Sequence, residues 1–134
     1  MNILGIDYGE KRIGLSIADT DNGIAFPYKA LENRGREYIL DELIRIFERE
    51  KIEKIIIGLP LSTKMEETQE SNLVREFSER LKEKISLEII FENELFTTQE
   101  AQKMWSDAEP NKKTGIIDVT ASQLVLQAYL DKKK

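Results

Sequence analysis

The chain contains no cysteine and no histidine. The first absence excludes disulfides, thiol nucleophiles and cysteine-ligated zinc or iron–sulfur centres. The second removes Ser-His-Asp catalysis, histidine general bases and imidazole-bound haem or metal. Any chemistry must rest on carboxylates, lysine, hydroxyls, tyrosine or the backbone, and carboxylates suit hard cations such as Mg²⁺ and Mn²⁺. No apolar run approaches the roughly 18 residues of a membrane helix. The opening MNILGIDYGE lacks the basic, apolar and small-residue layout of a secretory signal. A cytoplasmic protein without a membrane partner is expected. Basic charge does not dominate either: 20 Lys and Arg stand against 25 Asp and Glu, a net of −5. That balance argues against broad nonspecific binding to nucleic acid.

What is present reads as a single domain over residues 1–134, long enough for one sizeable core. Asn2–Tyr8 and Arg12–Ala18 are apolar runs separated only by Gly9, Glu10 and Lys11, which predicts a hairpin. Asp21-Asn22-Gly23 is a second turn signal before a third strand, Ile24–Leu31. The period then changes. Ile39, Leu40, Leu43, Ile46 and Phe47 predict an amphipathic helix over Glu37–Glu50. Lys54–Leu59 reads as a buried parallel strand. Glu70–Lys84 reads as a helix with Leu73, Val74, Phe77 and Leu81 on one face, and Leu87–Phe91 as a strand. A short helix is predicted at Thr98–Trp105 behind a Thr97/Glu100 capping box. The polar stretch 109–115 is expected to be a mobile loop, Ile116–Leu130 a last amphipathic helix, and 132–134 a solvated basic tail. The order β-β-β-α-β-α-β-α-α implies an α/β fold: a mixed five-stranded sheet with helices on both faces. Ligands of such sheets sit beyond the strand ends near a topological switch point.

Certain acids fall in places that need explaining. Asp7 closes an apolar central strand, where a lone buried carboxylate costs several kcal/mol unless paired or metal-bound. An Asx turn at the hairpin would account for it equally well. Glu92 and Glu94 leave the strand LEIIF with the same parity, so alternation does not choose between them, and a solvated strand exit explains both. Asp118 shares a helical stripe with Ala121, Val125 and Tyr129. There it either complements the helix N-terminal dipole or reaches over a strand end. Three carboxylates meeting at the open end of a sheet would suit two divalent cations and phosphodiester hydrolysis without a nucleophilic side chain.

The stretch Gly5-Ile6-Asp7-Tyr8-Gly9-Glu10-Lys11-Arg12-Ile13-Gly14-Leu15-Ser16 resembles the opening of the YqgF family, the RuvX-type Holliday junction resolvases. Gly58-Leu59-Pro60-Leu61 is similar to its second motif, and Asn93-Glu94-Leu95-Phe96-Thr97-Thr98 to its Asp-Glu-Arg-x-Thr-Thr motif. Lys113 to Asp118 followed by Ala121 resembles its last motif. The resemblance spans nearly the whole chain. It implies an RNase H-like fold and a metal-dependent nuclease using Mg²⁺ or Mn²⁺. The activities it suggests are processing of the 5′ end of pre-16S rRNA in ribosome biogenesis, or resolution of Holliday junctions. The family acids carry over to Asp7, Glu94 and Asp118. Two departures stand out. Asn93 and Leu95 replace the motif's Asp and Arg. After Leu61 the family usually has Asn-Met and then a glycine, where this chain has Ser62-Thr63-Lys64-Met65-Glu66-Glu67-Thr68. These departures motivate a second reading, a catalytically inactive nucleic-acid or ribosome-assembly binding module of the same fold. A third, a sugar-kinase or actin-like phosphate site suggested by Asp7-Tyr8-Gly9, needs a second domain that 134 residues do not hold.

Residues 36–109 carry 11 basic and 18 acidic side chains, whereas residues 110–134 carry 5 and 2. The less acidic ends hold Asp7 and Asp118. Lys11, Arg12, Lys112 and Lys113 are therefore expected to contact phosphates of a structured RNA precursor or branched DNA. Trp105 and Phe96 are expected in the core. No segment marks a dimer face, so the expected state is monomer or homodimer.

Overall fold

A computed structural model describes residues 1–62, 64–93 and 110–132, with side chains throughout except at 110–118. The described residues form five strands and three helices, in chain order β1 Asn2–Tyr8, β2 Arg12–Asp19, β3 Ile24–Glu32, α1 Arg36–Arg49, β4 Ile52–Leu59, α2 Gln69–Lys84, β5 Glu88–Asn93 and α3 Pro110–Lys132. The predicted helix at Thr98–Trp105, together with Phe96, lies outside the described residues.

The strands form one mixed sheet in the order β3-β2-β1-β4-β5. β1–β2 and β2–β3 are antiparallel, as short turns require. β1–β4 and β4–β5 are parallel, joined through helices. β1 is central, so both its faces must be apolar: Leu4 and Ile6 face one side, Ile3 the other, all fully buried. The chain's direction of travel across the sheet reverses between β1 and β4, which is the topological switch point.

The two faces are closed differently. α1 and α2 cover one of them, where Leu4, Ile6, Ile55 and Ile57 meet Ile39, Leu43, Val74, Phe77 and Leu81. Each such side chain contributes roughly 1.5–3 kcal/mol by leaving water. Phe77 also stacks on Tyr8 with ring centroids 4.4 Å apart. On α2 the buried stripe includes Ser71 and Ser78, while Leu73, expected inside, is 41% exposed. Leu73 sits 100° from Val74 and turns past the seam. α2 starts at a capping box: Ser71 N donates to Thr68 Oγ1 at 3.1 Å and Thr68 N to Ser71 Oγ at 2.6 Å.

α3 covers the opposite face, over Ile3, Ala18, Ala25 and Ile56. It begins at Pro110, so residues 110–115, expected as loop, are helical, and Lys132 belongs to the helix rather than to a free tail. Proline suits a first helical turn because its missing N–H and fixed φ are no handicap there. Gly115 inside a helix costs only about 1 kcal/mol. α3 crosses the sheet from β3 and β2 towards β5. Gln123 and Gln127 bond the backbone of Ala25 in β3, Ser122 meets Ser16 in β2, the Tyr129 hydroxyl accepts from Lys54 in β4 at 3.1 Å, and Lys132 pairs with Glu92 in β5. Among the described residues no helix is long and apolar enough to cross a membrane.

Candidate functional site

The parallel strands β1, β4 and β5 share one C-terminal edge, and the candidate residues gather along it. Asp7 is the penultimate residue of β1, half-buried, paired in register with Gly14 of β2. Strand alternation puts it on the face of Ile3 and Gly5, beneath α3. The register Ile6↔Ile57 and Gly58↔Glu92 brings Asp7, Gly58 and Glu92 to one level of that face. Asp7 and Glu92 are then roughly 10 Å apart between Cα atoms, two strand spacings, with only a glycine between them.

Glu92 is 93% buried, and the Lys132 ammonium at the end of α3 donates to its Oε1. That pairing answers the burial of its charge. Strand parity alone leaves Glu92 and Glu94 equivalent. Glu94 lies outside the described residues, directly after Asn93, the last residue of β5.

Asp118 lies in α3, one helical turn before Ser122. Ser122 is anchored. Ser16 Oγ donates to its carbonyl at 2.9 Å and shares a 2.8 Å hydrogen bond with its hydroxyl, and both serines are fully buried. The contact fits because residue 5 is glycine: a Cβ there would lie 2.3 Å from Ser16 Oγ and 3.0 Å from Leu126 Cβ. Asp7 is two residues beyond Gly5, about 6.7 Å along β1. Asp118 is four residues before Ser122, about 6 Å along α3. Both acids are thus one short step from the same point. Only the Asp7 side chain of the expected three is described. Among the described residues, no three acids gather around a point that an ion could fill.

Of the expected phosphate contacts, Lys11 is exposed in the β1–β2 turn and Arg12 is half-buried at the start of β2. Gly9 keeps that turn tight, since a Cβ there would meet the Arg12 carbonyl at 2.6 Å. Lys112 and Lys113 fall in the first turn of α3.

The turn after β4 holds one residue in a backbone region that side chains rarely adopt. Met65 adopts φ 63°, a left-handed conformation that favours glycine. Ser62 braces it: Met65 N donates to the Ser62 carbonyl at 2.8 Å, and Ser62 Oγ accepts from Lys64 N and Glu66 N, each at 3.2 Å. Asn93 Nδ2 donates to Met65 Sδ at 3.2 Å. An aspartate, which the motif has at that position, has no such donor when ionised.

Sequence reasoning missed Ser16, Ser122, Gln123, Gln127 and the Glu92–Lys132 pair. Some signals were present. Ser16 interrupts an apolar strand opposite Gly5, Ser122 interrupts the apolar stripe of α3, and Gln123 and Gln127 are one turn apart.

A family model described as "RuvX: Holliday junction resolvase" matches residues 1–132. A protein of Maridesulfovibrio salexigens named "Putative pre-16S rRNA nuclease" is 36% identical over 132 residues, covering 97% of this chain and 98% of its own. One of the same name from a Sulfurihydrogenibium species is 37% identical, covering 97% and 90%. Among solved structures, Thermus thermophilus RuvC in complex with a Holliday junction substrate matches with a TM-score of 0.61 at 10% identity, over 99% of this chain and 95% of that one. The Fowlpox virus resolvase with Holliday junction DNA matches with a TM-score of 0.60 at 17% identity, over 99% of both. At those identities the likeness shows the fold, which is RNase H-like as the resemblance implied.

Proposed function

We propose that this chain, which belongs to the RuvX Holliday junction resolvase family of nucleases, hydrolyses phosphodiester bonds at the 5′ end of pre-16S rRNA with Mg²⁺ or Mn²⁺ held by Asp7, Glu94 and Asp118. The observation that carries the reading is Asp7, a half-buried acid ending the central strand at the switch point. The RNA substrate is taken from the names of its relatives.

The donor set fits the ion. A chain without histidine or cysteine offers a cation only oxygen ligands of consequence, which Mg²⁺ and Mn²⁺ prefer. Three positions support a shared site: Asp7 lies near the end of β1, Asp118 lies in α3 one turn before its contact with β2, and Glu94 follows the last residue of β5. Carboxylates held close together repel, so the set favours a bound cation over a bare cluster. When bound, the ion supplies Lewis acidity that eases proton loss from water and offsets charge on the leaving oxygen. Lys11 and Arg12 follow Asp7 in the chain, with Lys112 and Lys113 just upstream of Asp118. They supply cations to the phosphates flanking the cleaved bond and position the backbone without reading sequence.

The test compares wild type with D7N, E94Q and D118N on precursor RNA and on a four-way DNA junction, with Mg²⁺ or Mn²⁺ or with chelator. Wild type should cut the RNA, and each variant should lose roughly a thousandfold, about 4 kcal/mol of transition-state stabilisation. Equal cutting by wild type and D118N would expose a contaminant and overturn the assignment. Cutting of the junction alone would move the substrate to branched DNA. Two symmetric cuts then call for a dimer, which solution mass would reveal. No uptake of millimolar Mn²⁺ by calorimetry, unchanged by D7N, would leave the inactive binding module.

A further inference from the structure

The buried polar pair Ser16–Ser122 takes no direct part in the chemistry above, yet it closes over Gly5, two residues before Asp7, and lies one helical turn after Asp118. α3 meets β1 and β2 here through small, fully buried residues: Ser122 meets Ser16, and the Ser122 carbonyl and Leu126 lie over Gly5. Apolar contact of that kind is non-directional and tolerates sliding. A hydrogen bond is not, since it weakens steeply with distance and angle. Two of them meet here at 2.8 and 2.9 Å, one to the helix backbone itself. Gly5 sets the depth of the contact and the serines set its place along the helix. The helix is stiff over the one turn that separates Ser122 from Asp118, so a shift at the first is a shift at the second.

We infer that Ser16 and Ser122, closing over Gly5, are positioning residues that set where α3 sits on the sheet and thereby the separation between Asp7 and Asp118. This rests on the reading that those two acids hold a common ion. Replacing both serines by alanine removes both hydroxyls together and leaves the Ser122 carbonyl its place in the helix ladder, so the change should be nearly neutral for stability. Its effect should appear at the ion instead.

The experiment measures Mn²⁺ affinity by calorimetry, thermal unfolding, and kcat and KM on precursor RNA, for wild type, S16A/S122A and G5A. For S16A/S122A the expected result is a melting temperature within a few degrees of wild type and Mn²⁺ affinity weaker by roughly tenfold to a hundredfold, the range for residues that orient metal ligands. Its kcat should fall while KM stays close to wild type. G5A keeps both hydroxyls but pushes the helix off the sheet, and should weaken Mn²⁺ binding likewise. Wild-type Mn²⁺ affinity and kcat in S16A/S122A would overturn the positioning role while leaving the metal site standing. A wild-type chain that takes up no Mn²⁺ would defeat the metal reading, and the positioning role with it. A melting temperature lowered in proportion to the lost affinity would mark the pair as ordinary core.

Discussion

The two faces of this sheet solve the same problem in different chemistry. Under α1 and α2 the contacts are aliphatic and aromatic, with Phe77 stacked on Tyr8 among them. Among the described residues the apolar cluster under α3 is smaller, and β2, β3, β4 and β5 each hold the helix by a polar bond. Apolar burial supplies most of the stability and accepts any well-filled arrangement. Polar pairs add modest net free energy but fix one arrangement. The first face holds the fold together. The second sets the position of a helix that carries an acid of the candidate site.

That division can be broken from either side. The largest effect should come from Phe77→Ala, which removes a fully buried ring from the first face. A loss of about 3–5 kcal/mol is expected in urea unfolding, with Mn²⁺ affinity unchanged while the protein is folded. Lys132→Met strips the partner from buried Glu92 and should cost about 1.5–3 kcal/mol. Glu92→Gln in the same background should recover most of that, because no buried charge is then left unpaired. Gln127→Ala removes the bonds to Ala25 in β3 and to Gly23 in the turn before it, and should cost about 1–2 kcal/mol. Met65→Gly should be the smallest, a gain of up to about 1 kcal/mol from relief of the left-handed backbone, offset by glycine's entropy. It sharpens the comparison because Met65 belongs to neither face. Its effect should appear in cleavage of precursor RNA before it appears in unfolding.

Where one physical rule acted alone, the sequence could be read almost to the residue. β1 runs over the expected Asn2–Tyr8, and Ile39, Leu40, Leu43, Ile46 and Phe47 are all buried as their 3.6-residue period requires. Asp7 was placed correctly at a strand end because an acid after an apolar run is conspicuous. Where rules competed, the reading failed. The Pro110–Gly115 stretch has loop composition, yet its proline also suits a helix start, and the helix prevailed. Leu73 is apolar and exposed, whereas Ser71 and Ser78 are polar and buried, because face geometry outranks residue type on α2. Ser16–Ser122 joins residues 106 positions apart, beyond the reach of any local pattern. Glu92 looked like a solvated exit until Lys132, 40 residues on, supplied the partner that lets it be buried.

The glutamines of α3 also have a consequence for synthesis. β3 is an edge strand, and Ala25 near its start offers its N–H to Gln127 and its carbonyl to Gln123, at 2.9 and 3.0 Å. Exposed Ile24 and Phe26 flank it, the kind of strand margin on which other chains can template themselves. Gln123 is 98 residues downstream of Ala25. At ordinary translation speeds that leaves the margin bare for roughly 5–20 seconds on every ribosome, before the helix that covers it has been made.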